Sequence, residues 1–119
     1  VTQLDPANIN PVAVEKEIVR FVGLLESATT KVYRRGRARA QAKVAYEVAH
    51  AEALLKAEGT VDEKKAQAYL AAQKEASTLE TTEAVLHAAI EASRNIREQL
   101  GALRSVMANT RSLLEHNRD

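Results

Sequence analysis

The chain has 119 residues, 45% of them hydrophobic and 28% charged, with a formal net charge of +1 and no cysteine. That length makes one domain at most, the charge balance supplies no global attraction to nucleic acid, and the missing thiols exclude a disulfide scaffold, a thiolate zinc site and a cysteine nucleophile. One Phe, three Tyr and no Trp stand against 22 alanines, so the chain lacks the rings that bury ~150 to 250 Å² each and must pack through thin, methyl-lined contacts.

Residues 1–10 read as an extended N-terminal arm, because Pro6 and Pro11 oppose helix in the residues before them and nothing periodic lies between. These residues carry no basic start followed by an apolar run, and no stretch of the chain approaches ~18 consecutive apolar residues. We therefore expect no secretory signal, no membrane contact and a cytoplasmic location. Asn10 and Pro11 pair as an N-cap and a proline at the first helical position.

Helical signals then run to Glu58. Gly59 offers a left-handed exit, and Thr60 with Glu63 three residues on forms a T-x-x-E capping box that starts a second helix, from about Val61 to about Glu115. A turn at residues 58–61 is short enough to force the two helices antiparallel. The expectation is an all-α fold, one long antiparallel helical hairpin over residues 11–116 with a tail at 117–119. At ~1.5 Å per residue its arms are roughly 70 and 80 Å long. Four Gly and two Pro leave too few turns for a multi-stranded sheet.

A coiled-coil seam follows from spacing. Val14, Ile18, Phe21, Leu25, Ala28 and Val32 recur on helix one at steps of four and three. Leu79, Thr82, Leu86, Ala89, Ser93, Ile96, Leu100, Leu103, Met107, Thr110 and Leu114 do so on helix two. Folding at residues 59 and 60 sets positions summing to about 119 opposite each other. Near the bend, Ala38, Ala42, Ala45 and Ala49 line one face of helix one, with Ala68, Ala72 and Ala76 on helix two. A second row, Val44, Val48, Ala51 and Leu55 with Val85, Ile90 and Val106, finds no partner within a hairpin, and such rows mark interfaces. Self-association into a four-helix or larger bundle, or docking on another protein, is expected. Candidate interface residues are Val44, Val48, Leu55, Leu86, Ile90, Ile96, Leu100, Leu103, Met107 and Leu114. The alternative architecture is a three-helix bundle broken near Gly36, with residues 31–36 as a loop.

The conspicuous local feature is a basic run, Lys31, Arg34, Arg35, Arg37, Arg39 and Lys43, with no acidic residue between Glu26 and Glu47. It is a candidate nucleic-acid contact, with Tyr33 and Tyr46 available for base stacking. The competing reading is internal pairing, which the register predicts as Arg39 near Glu80 and as Arg35 and Arg37 around Glu83. Gly36 inside this run is a kink, a close approach or a break; Gly23 and Gly101 read as tight packing points.

Catalysis and metal binding find little here. His50, His87 and His116 fall far apart in the register. Glu83, His87 and Glu91 share a helix face, but a bundle di-metal site needs the Glu-x-x-His spacing on two helices, and helix two does not carry it. No phosphate-binding glycine motif or nucleophile elbow is present. The chain is expected to be a non-enzyme with no catalytic residue, no metal, no cofactor and no small-molecule substrate.

The stretch from Arg37 to Ala66, RARAQAKVAYEVAHAEALLKAEGTVDEKKA, and the later REQLGALRSVMANTRS resemble a group of short helical proteins of tailed phages that infect Gram-positive bacteria. The resemblance covers about two thirds of the chain. It implies a phage accessory protein acting near DNA replication or recombination machinery in an infected host, and it carries no activity and no site residues. Type VII secretion substrates, also helical hairpins, place Trp-x-Gly at the bend, where this chain has Glu58, Gly59 and Thr60.

Overall fold

A computed structural model describes residues 10–116. Of the arm expected at residues 1–10 all but residue 10, and the tail at 117–119, lie outside the described residues. Three helices follow in order, α1 (Pro11–Lys56), α2 (Val61–Ala71) and α3 (Gln73–His116), and no strand occurs among the described residues.

Helix α1 begins as its sequence dictates. Asn10 Oδ1 accepts from the Val12 backbone N–H at 3.0 Å, and the Asn10 carbonyl accepts from the Val14 N–H at 3.1 Å. Pro11 sits where an N–H has no helical acceptor. The helix runs unbroken through Gly36, which corrects the three-helix alternative: residues 31–36 are helical, and the interruption that makes a third helix lies elsewhere. Good helix formers on both sides of Gly36 outweigh the ~1 kcal/mol that one glycine costs. At its far end α1 stops at Lys56, two residues before the expected Glu58.

The turn uses the chemistry read from sequence, with one change. Gly59 has φ +116°, a conformation that favours glycine. Thr60, extended at φ −71° and ψ 167°, caps α2 by accepting from the Glu63 N–H at 3.2 Å. In a capping box the Glu63 side chain reaches back to Thr60; here its carboxylate instead lies over Gly59, where a Cβ at that residue would project. Gln67 Nε2 donates to the Glu58 carbonyl at 2.8 Å, satisfying an acceptor left beyond the end of α1.

The second helix is not continuous. At Ala72, φ −98° and ψ 12° separate α2 from α3. The ladder still passes on either side of it, from the Ala72 N–H to the Ala68 carbonyl at 3.1 Å and from the Ala76 N–H to the Ala72 carbonyl at 2.9 Å. The Gln73 side-chain amide donates to the Tyr69 carbonyl at 3.1 Å. That carbonyl is also the acceptor a regular helix assigns to the Gln73 backbone N–H.

The chain divides into two compact units, one formed by the described residues of Val1–Thr30 and Glu91–Asp119, the other by Lys31–Ile90. In the first, Val14, Leu100, Met107 and Ser93 are buried. The second is a helical hairpin that buries Ala42, Ala68, Ala72 and Ala89. The stripe from Leu79 through Thr110 is buried or half-buried at every expected position, whereas Leu114 is 53% exposed, because it lies within three residues of the end of α3. Near the bend Ala42 and Ala49 face inward, but Ala45 is exposed and Tyr46 and Ala53 take the seam instead. Stepping by seven from Val32 through residue 39 leads to 46 and 53, so the heptad overrides the run of alanines. Gly23, Gly36 and Gly101 have nothing within 4 Å of a Cβ built on them. The tight packing expected at Gly23 and Gly101 is therefore corrected, and Gly36 is neither a close approach nor a break.

Candidate functional site

The basic run occupies the first turns of α1 within the hairpin unit. At ~100° per residue, Lys31, Arg35, Arg39 and Lys43 follow one another at steps of four along one side, while Arg34 and Arg37 stand on the outward face. Two of them fall on the seam itself, since stepping from Ala28 and Val32 toward Ala42 and Tyr46 lands on Arg35 and Arg39. Arg39 is half-buried, and its Nη2 donates to Glu83 Oε1 at 3.2 Å and its Nε to the same oxygen at 3.3 Å. The expected partner was Glu80; the one observed, Glu83, lies three residues further along α3.

Lys31, Arg34, Arg35, Arg37 and Lys43 are exposed, and among the described residues none of these five makes an ion pair. The expected gathering of Arg35 and Arg37 around Glu83 does not occur. Tyr33 is 67% exposed. Tyr46 is half-buried, with its ring 5.9 Å from that of His50, so of the two candidate stacking rings only Tyr33 stands free.

The candidate interface residues separate into two sets. Leu100 and Met107 are buried, and Leu86, Ile90, Ile96 and Leu103 half-buried, so that part of α3 is used within the chain. Val106 also turns half inward. Val44, Val48, Leu55 and Leu114 are exposed, Leu55 the most at 87%. Sequence reasoning did not single out Leu54, Val61, Tyr69 and Leu70, which are also exposed apolar side chains of the hairpin unit; they sit off the periodic rows, and only the turn geometry brings them to one end of that unit.

Beside them, an open groove of about 420 Å³ runs between the end of α1 and α2, lined by Ala49, Glu52, Ala53, Lys56, Ala57, Gln67 and Ala71. Its two charged side chains, Glu52 and Lys56, are exposed and therefore solvated. Glu75 is the residue the seam hides: it is half-buried between Ala72 and Leu79 in the heptad, and its Oε2 is buried with no hydrogen-bond partner. In the other unit, Arg20 Nη2 donates to Glu17 Oε2 at 2.9 Å and its guanidinium lies 4.8 Å from the Phe21 ring centroid. That hydrogen bond holds the Glu17 carboxyl below its ordinary value and the Arg20 guanidinium above its own.

His50 is half-buried beside Tyr46, and His87 and His116 are exposed. Among the described residues no three His, Asp or Glu side chains gather in a way that would hold a metal ion. No described helix is long and apolar enough to cross a membrane. No protein-family model matches this chain, and neither a curated protein nor a solved structure is found similar to it.

Proposed function

We propose that the chain is a non-enzymatic helical assembly protein that acts through protein–protein contacts. The observation that carries this reading is the contrast between a core whose buried hydrophobics are Val14, Leu100, Met107 and four alanines, and an exposed row of Val44, Val48 and Leu55 on one helix. Small single-layer cores are marginal, and covering a Val or Leu side chain stabilises by ~1.5 to 3 kcal/mol. The resemblance to phage helical proteins supports placing that assembly near replication or recombination machinery in the cytoplasm of an infected bacterium. Light scattering after gel filtration tests the assembly reading. An oligomer at tens of micromolar is expected, and a species fixed at the monomer mass of 13.0 kDa would sink self-assembly.

A second reading, nucleic-acid binding, is favoured by the five exposed cations without ion pairs. They span too wide an arc of α1 for all to reach one strand, so about four phosphate contacts are expected, and log affinity for duplex DNA should fall with log salt at a slope of about −3 to −4. Replacing Arg35 and Lys31 by Ala should reduce that slope by about 2, whereas Arg39→Ala should leave it nearly unchanged. Failure to bind at low salt removes this reading.

A further inference from the structure

The exposed row on α1 continues into the basic run. From Arg37 through Gln41, Val44, Val48 and Ala51 to Leu55 the steps alternate four and three, and all six residues are exposed. One outward stripe thus has a cationic end and an apolar end. Beyond the apolar end comes the turn, where Glu58 and Asp62 are exposed and α2 opens with Asp62 and Glu63.

This order is self-complementary when reversed. Laid antiparallel on a second copy and crossed midway between Val48 and Ala51, Val48 meets Ala51 of the other copy and Val44 meets its Leu55, larger against smaller in each pair. Arg37 then stands ~19 Å from the crossing point, and Lys56 of the other copy ~10 Å from it on the same side. The segment from Glu58 to Asp62 projects beyond Lys56, within the reach of a long Arg side chain. A parallel arrangement would instead set Arg37 against Arg37 and the acidic turns against each other. Charge therefore selects the antiparallel pairing.

We propose that this stripe is a two-fold interface with a second copy of the same chain, in which the apolar row packs on itself and Arg37 of each copy pairs with the acidic turn, chiefly Asp62, of the other. The inference rests on the assembly reading and deepens it by naming the surface and the partner. A two-fold contact makes every pair twice, so each charge pair counts double. An acidic peptide or a nucleic acid on the same stripe is the competing occupant.

Sedimentation equilibrium on the full chain and four variants tests it, with helix content followed by circular dichroism. The parent should be a dimer. Val48→Glu, at a site exposed in the single chain, should give a monomer with unchanged helix content. Arg37→Glu should weaken the dimer ~10-fold, Asp62→Arg similarly, and the two changes in one chain should restore it. A dimer indifferent to Val48→Glu, or weakened by the single charge reversals without rescue in the double variant, overturns this interface while the assembly reading stands. A parent that stays monomeric at tens of micromolar overturns both.

Discussion

Arg39 and Glu83 tie α1 to α3 through one carboxylate oxygen, with both side chains still 39% and 48% exposed. Partial exposure keeps the pair in a high-dielectric setting, so its worth is modest. A double-mutant cycle with Arg39→Met and Glu83→Gln should give a coupling of ~0.5 kcal/mol in thermal or urea melts, shrinking as salt is raised. A salt-independent coupling of ~2 kcal/mol would contradict that solvent-exposed geometry.

Glu75 stands at a seam position with a buried oxygen that finds no partner. Removing an unsatisfied polar atom from a contact that an apolar side chain fits should stabilise. Glu75→Leu is expected to raise stability by ~1 to 2 kcal/mol, read as a higher melting temperature. A loss of stability would mean that the carboxylate has a partner in solution.

Gly36 lies within an unbroken helix with open space where a Cβ would go. Gly36→Ala should therefore stabilise by ~0.5 to 1 kcal/mol, and Gly23→Ala and Gly101→Ala by similar amounts. Destabilisation at Gly36 alone would point to a neighbour pressed against that face, such as a partner helix.

The turn should respond in two distinct ways. Thr60→Ala removes the acceptor of the Glu63 N–H and should cost ~0.5 to 2 kcal/mol. Gly59→Val should cost more, because a β-branched residue resists φ +116° and its Cβ would displace the Glu63 carboxylate. Equal stability of Gly59→Val and the parent in denaturant melts would mean that the chain does not turn as described.

What the sequence made legible was local backbone chemistry and periodicity. Asn10 with Pro11, and Gly59 with Thr60, announce helix ends because each acts on the few N–H groups beside it. The stripe from Leu79 to Thr110 is legible because its spacing alone sets one face. The partner of Arg39 was not, since a register counted from the turn fixes facing positions only to about one helical turn, and a shift of one turn exchanges Glu80 for Glu83. Tyr46 was hidden by the polar seam residues Arg35 and Arg39, which break the apolar stripe and draw attention to the nearby alanines. No glycine or proline marks Ala72, and only its backbone angles reveal the interruption.

The interruption at Ala72 gives α2 a separate thermodynamic life. Its 11 residues contain one buried side chain, Ala68, and a helix shorter than ~12 to 15 residues is marginal in water when left to itself. Its amides should exchange with deuterium through a local opening far cheaper than global unfolding, and protection should rise sharply past Ala72. The same opening would bare the bonds around Lys64 and Lys65 to a trypsin-like protease under native conditions. Limited digestion would then nick the chain there first, leaving the two long helices as fragments that still adhere.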